Sequence, residues 1–241
     1  MKGAGMNILE KEIIDILKLL KNEYGVFEIK AEYENEGSRQ DELMRLKDIV
    51  STVDLPIILK IGGVEAVTDI YMALSLGVKS IIAPMAETPF AISKFLNTIE
   101  TFIQPDNRDD IDFVVNIETI TAFNNFDEIL ELPNIDLLSG ITLGRVDFTG
   151  SLGKSRNIIE TTEIQEYCIS VFERAKKKNL KTALGGAISL NSIPFIKQLF
   201  EANLIDKYET RKVVFNKDSL SNIEQAIEKA VEFELLWLKS K

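Results

Sequence analysis

The stretch LPIILKIGG, residues 55–63, decides the reading of the fold. Ile57, Ile58 and Leu59 form a short apolar run bounded by Pro56 and by Gly62 and Gly63. Too short for a helix and apolar at every position, such a run reads as a strand buried on both faces. The pattern recurs in SII (80–82) and FVV (113–115). Working outward, strand patterns fall at 25–34, 56–62, 79–85, 112–118, 135–144, 181–186 and 211–215. Helical periodicity lies between them, at 41–53, 64–76, 89–102, 122–132, 162–178 and 192–202. An amphipathic helix precedes the series at 8–21, and another closes it at 219–238. Alternating strands and helices predict an α/β fold. The expectation is one TIM-type (β/α)8 barrel spanning 1–241, with an N-terminal helix capping its floor and an eighth strand that is short or replaced. The length of 241 residues is near that of one such barrel. An open doubly wound sheet is the alternative. Against it, no Gly-rich turn follows the first strand, which ends in the acidic AEYENEG (31–37).

Thirty-eight acidic and 28 basic side chains give a net charge of −10. This argues against nucleic acid and against anionic lipid as partners, since both need a basic face. No apolar run approaches the length of a membrane span, and the N-terminus alternates charged and apolar residues, so a cytoplasmic location is expected. The single cysteine, Cys168, lies in a helical pattern and reads as a packing residue. There is no histidine. A Ser-His-Asp triad, a Cys-His pair and a His-ligated zinc are therefore excluded, and proton transfer falls to carboxylates, Lys, Tyr or metal-bound water.

Polar residues inside buried strands are costly unless paired or used, so they mark the candidate site. Glu28, Lys30 and Glu32 alternate along the first strand and share one face. Lys30 between two carboxylates fits an internal ion-pair network, whereas Glu32 lies nearer the C-terminal strand ends where barrel active sites form. Lys60 ends its strand, either as a structural ion pair or as a clamp on a substrate carboxylate. Glu118 ends DFVVNIE with Asn116 on the same face, and Asp147 follows in GRVDFTG. Carboxylates on neighbouring strand tops suit Mg²⁺ or Mn²⁺, although Asp147 also fits a helix N-cap. KTALGGAISLNS (181–192) allows backbone contact with a ligand, or an ordinary turn leading through Ser189, Asn191 and Ser192 into a helix. Glu209 and Arg211 read as structural residues at the barrel floor.

In order and spacing, the segments LPIILKIGG, GVKSIIAPM, VVNIET and LGRVDFTGSLG resemble the HpcH/HpaI aldolase and citrate lyase β-subunit family, of the phosphoenolpyruvate/pyruvate barrel superfamily. The resemblance covers residues 25–190. It implies metal ligation by Glu118 and Asp147. It places Lys60 where the family has an arginine on the pyruvate oxygens, keeping the charge but losing the fork. Pro84 and Met85 match the turn beside the site, and Gly144, Arg145 and Val146 match the stretch lining the substrate carboxylate. At the first strand the family has an acid and a catalytic His; here Lys30 and Tyr33 stand in their places, which directs attention to Glu32, Tyr33 and Arg39. The implied activity is a metal-dependent carbon–carbon lyase that forms a pyruvate enolate from a 2-oxo acid and releases an aldehyde. Lys60 and Arg145 would balance charge, and Glu32 or a metal-bound water would move the proton. The alternatives are a Schiff-base aldolase using Lys60 or Lys30, a citrate-lyase-like enzyme acting on a CoA thioester, and a small-acid-binding barrel without turnover. Because the superfamily often exchanges its last helix between subunits, a homo-oligomer is expected.

Overall fold

The computed structural model describes residues 6–241. Its first element, α1 (Ile8–Glu23), starts at a reciprocal cap: Asn7 Oδ1 accepts from Glu10 N–H, and Glu10 Oε2 accepts from Asn7 N–H. Then come β1 (Val26–Glu32), α2 (Gln40–Ser51), β2 (Ile57–Lys60), α3 (Val67–Leu76) and β3 (Ser80–Ala83). The next helix, α4 (Pro89–Phe102), has Pro89 in its first turn and Thr88 Oγ1 capping Ala91 N–H at 3.1 Å. After α5 (Pro105–Arg108) and β4 (Asp112–Ile117), the helix expected at 122–132 forms as two pieces, α6 (Ile120–Asn124) and α7 (Phe126–Leu130). They join at Asn125, whose amide donates to the Glu87 carbonyl. The chain continues through β5 (Gly140–Gly144), α8 (Arg145–Ser151), α9 (Thr162–Lys177), β6 (Lys181–Gly185) and α10 (Ile193–Glu201). It ends with β7 (Lys207–Glu209), β8 (Val213–Phe215) and α11 (Ile223–Ser240). The expected start of β5 at 135 is corrected: Ile135–Leu137 is one 3₁₀ turn, closed by Leu138 N–H on Ile135 O.

The strands close into a barrel in sequence order. From β1 to β7 every pairing is parallel, but β8 runs antiparallel to both β7 and β1. A hairpin makes this reversal, with Thr210 N–H on Val213 O at 2.9 Å. Strand β7 escapes a periodicity reading because its sequence, KYE, carries one apolar side chain. Tyr208 fills the outer face and is fully buried, while Lys207 and Glu209 turn inward to paired charges. The hairpin also overturns the floor position expected for Glu209 and Arg211, which both line the cavity at the opposite end.

Most of the core lies between barrel and helices; a smaller set inside the barrel comprises Ile58, Ile82, Val114 and Val214. The interior also carries ion pairs. Lys207 Nζ donates to Glu28 Oε2 at 2.7 Å, and Lys30 Nζ to Glu209 Oε1 at 2.6 Å. The internal network expected of β1 thus forms, but its partners come from β7 rather than from β1 itself. Helix α1 packs on α11, α2 and β1. Among the described residues no helix is long and apolar enough to cross a membrane.

Candidate active site

A cavity of about 410 Å³ opens at the C-terminal ends of β1, β2 and β4–β7. Glu32, Lys60, Glu118, Gly144, Val146 and Asp147, all singled out from sequence, are among the residues that line it. Alternation along β4 turns Asn116 and Glu118 inward together, and Asn116 Nδ2 donates to Glu118 Oε2 at 3.0 Å. The other oxygen of Glu118 accepts the Met85 N–H at 2.9 Å. Met85 sits at φ +48°, a left-handed conformation that aims this N–H inward. Burial pushes the Glu118 carboxyl above its ordinary range and Asp147 adds to the shift, against the opposing pull of Lys60, Met85 N–H and Asn116. A cation between Glu118 and Asp147 would relieve that cost. Gly144 leaves the necessary room: a Cβ there would lie 2.9 Å from Glu118 Oε2.

Asp147 is exposed, and among the described residues no hydrogen bond or ion pair engages its carboxylate. It lies inside the first turn of α8, whose N-cap is Gly144, so the N-cap role is not realised. No cluster of three or more acidic, His or Cys side chains among the described residues is arranged to hold a metal ion. Two carboxylates nevertheless suit a hard ion such as Mg²⁺, which commonly takes one or two and completes its octahedron with water and substrate oxygens. The cavity as a whole carries more carboxylates than cations, with Glu32, Glu118, Asp147, Glu209 and Glu234 facing Lys30, Lys60, Arg156 and Arg211. An anionic substrate entering there needs added positive charge.

Lys60 is 8% exposed. Its Nζ lies 2.6 Å from Glu34 Oε2 and 3.8 Å from Glu118 Oε2. Burial alone would lower its pKa, but Glu118, Glu34 and Glu32 outweigh burial and hold it above the ordinary lysine value. Glu32 is also buried, faces the cavity, and has no hydrogen-bond or ion-pair partner among the described residues.

Five residues to which the resemblance points lie elsewhere. Arg145 is fully buried and does not line the cavity. Its guanidinium donates to Glu160 Oε2 (2.9 Å), Gly186 O (2.9 Å), Ser192 Oγ (3.1 Å) and Gly185 O (3.3 Å). The role of balancing substrate charge is therefore corrected to an internal tie between α8 and the loop after β6. Tyr33 follows Glu32 and so faces outward, as strand alternation requires. Burial and the Asp69 carboxylate push the pKa of its phenol upward, and its hydroxyl has no hydrogen-bond partner among the described residues and does not line the cavity. Pro84 and Met85 do not line the cavity either; Met85 acts through its N–H on Glu118. Arg39 is exposed and paired with Asp41 and Glu42.

Backbone contact at the glycine turn is open to a ligand, since Gly185, Gly186, Ala187 and Ile188 form one wall of the cavity. Ser192 is drawn into the Arg145 network, donating to Glu160 Oε1 at 2.6 Å. Asn35, Thr142, Arg156 and Thr210 line the cavity without having been singled out. Thr142 was legible, being the inward-facing polar residue of β5 between Gly140 and Gly144. Arg156 and Thr210 come from a loop and a hairpin that periodicity does not reach.

The HpcH/HpaI aldolase/citrate lyase family model matches residues 44–188. The match starts within α2 and ends just past β6, so β1, the β7–β8 hairpin and α11 lie outside it. No curated protein sequence matches. Solved structures share the fold at low identity. An HpcH/HpaI aldolase from Desulfitobacterium hafniense DCB-2 superposes with a TM-score of 0.65 at 12% identity, over 94% of this chain and 88% of that one. The citrate synthase SbnG gives a TM-score of 0.67 at 13% identity, over 95% and 90%. The protein CitE from Mycobacterium tuberculosis, solved with magnesium and acetoacetate, gives 0.56 at 11% identity, over 94% of both chains. With more than half of its length matched by the family model and its barrel shared with these structures, the chain belongs to the HpcH/HpaI aldolase/citrate lyase family.

Proposed function

We propose that this protein is a divalent-metal-dependent carbon–carbon lyase of aldolase type, acting on a 2-oxo acid through its pyruvate enolate. One observation carries the reading: Glu118 and the free carboxylate of Asp147 share one cavity with Lys60, a buried and firmly protonated cation. Glu118 and Asp147 would hold Mg²⁺ or Mn²⁺, which supplies Lewis-acid charge for the oxygens of a 2-oxo acid. Lys60 Nζ donates to the substrate carboxylate and fixes its orientation. Glu32, buried and facing the cavity without a partner among the described residues, moves the proton of the scissile hydroxyl. The Met85 N–H and Asn116 hold Glu118 in place throughout. The partner product is an aldehyde, and the assembly is a homo-oligomer.

A Schiff-base route through Lys60 is disfavoured, because the surrounding carboxylates keep its amine protonated, the opposite of what a nucleophilic lysine needs. A second reading, a barrel that binds a small acid without turnover, draws on the position of Tyr33 outside the cavity and the lack of histidine.

Oxalate mimics the pyruvate enolate and so tests the site. A ligand that binds only the folded state raises the melting temperature. The expected shift needs Mg²⁺ or Mn²⁺ together with oxalate and is absent in Glu118→Gln. Turnover of 4-hydroxy-2-oxo acids then separates a lyase from a binding barrel. Unchanged turnover in Glu118→Gln would overturn the metal site.

A further inference from the structure

Lys60, the residue assigned to the substrate carboxylate in the proposed function, already has a carboxylate on it. Glu34 Oε2 lies 2.6 Å from Lys60 Nζ, closer than Glu118 Oε2 at 3.8 Å. Glu118 is committed to the metal site in that reading and Glu32 acts on Lys60 without direct contact, which leaves Glu34 as the anion in contact with Lys60 that opposes a substrate there. Resting on the proposed function, we propose that Glu34 sets substrate affinity by competing with the substrate carboxylate for Lys60.

The surroundings of Glu34 fit a side chain that can leave. It belongs to the turn 33–37 after β1, closed by Gly37 N–H on Tyr33 O at 3.2 Å, with Gly37 at φ +55°. The far side of this turn is anchored: Glu36 accepts from Arg211 Nε at 3.1 Å and from Lys212 Nζ. The turn itself can therefore stay fixed while Glu34 rotates. Glu34 Oε2 is itself buried against Lys60, but the side chain as a whole keeps 24% of its surface exposed, which leaves the carboxylate a path to water once that contact breaks. Glu34 does not line the cavity, whereas Lys60 does. A substrate carboxylate thus reaches Lys60 from one side as Glu34 withdraws on the other. A lysine ammonium is a compact charge whose few donors are contested more directly than the fork of an arginine.

A binding-competent fraction below one weakens the apparent affinity by that fraction. Releasing Lys60 from Glu34 therefore tightens substrate binding, the reverse of what loss of a merely structural contact does. The test measures oxalate dissociation constants by calorimetry at saturating Mg²⁺, with the Mg²⁺ dissociation constant measured separately without oxalate. Glu34→Gln, with Glu34→Ala as a second variant, should bind oxalate at least about fivefold more tightly. Mg²⁺ affinity should stay within about twofold. In a Lys60→Met background the gain should vanish. Unchanged or weaker oxalate binding in both Glu34 variants overturns the proposal, as does a gain that survives Lys60→Met. If the unaltered protein shows no Mg²⁺-dependent oxalate binding, the proposed function fails and this inference fails with it.

Discussion

Arg145→Met removes the centre of the network behind the cavity wall. Arg145 is fully buried and its guanidinium makes four hydrogen bonds, to Glu160, Ser192 and the carbonyls of Gly185 and Gly186. Methionine fills much of the stem volume and supplies no donor, so the perturbation is polar rather than a cavity. Breaking a buried ion pair from one side costs about 3–5 kcal/mol. Glu160 keeps 24% of its side-chain surface exposed and retains the Ser192 hydroxyl at 2.6 Å, which favours the low end. The two glycine carbonyls push the other way, because a buried acceptor left unpaired costs about 1–3 kcal/mol. A net loss of about 3–5 kcal/mol follows, or a fall in melting temperature of roughly 6–20 °C for a chain of this size. Urea unfolding read by fluorescence and by circular dichroism, with calorimetry alongside, measures it. Because Gly185 and Gly186 form part of the cavity wall, Mg²⁺-dependent oxalate affinity should fall in the folded protein as well. Adding Glu160→Leu should recover part of the stability, since an apolar pair can replace a buried ionic one. A loss below about 1 kcal/mol in Arg145→Met would refute the reasoning.

Asp147→Asn should leave ligand-free stability within about 0.5 kcal/mol, because the carboxylate is exposed and unpaired among the described residues. The same variant should abolish the joint metal and oxalate shift in melting temperature; a retained shift removes Asp147 from the metal site. Cys168 lies buried in α9, and burial pushes its thiol from the ordinary 9.0 up to about 12. Below about pH 9 both folded and unfolded chains hold the proton; above it only the folded chain does, so stability falls between about pH 9 and 12. The loss from this group approaches 1.4 kcal/mol per pH unit, Tyr208 adds to it in the same direction, and Cys168→Ala should flatten the slope of urea-derived stability against pH. In native buffer near neutral pH the thiol should resist a disulfide reagent that labels it after unfolding; rapid native labelling would contradict its placement.

The barrel was legible because both-face burial leaves a mark on every strand: runs such as IIL and FVV have no polar position, and helical periodicity separates them. Glu32, Lys60 and Glu118 were legible for the complementary reason, as charges inside or at the end of strands that otherwise exclude them. Arg145 looks the same in sequence, one residue beyond such a strand, yet it is fully buried and does not line the cavity. Its direction depends on Glu160, Ser192 and the turned glycine carbonyls, which lie 15 to 47 residues away along the chain.

The sequence by itself determined the alternation of strands and helices, the shared face of the charges in β1 and the exclusion of histidine chemistry, since these follow from local period and composition. The tertiary structure alone decided the reversal of β8, the pairing of β1 charges with β7, the burial of Arg145 behind the cavity wall, and the placement of Glu34 on Lys60. Each of these depends on partners brought together by closure of the barrel, and a pairwise ion contact leaves no periodic trace in either of the segments that make it.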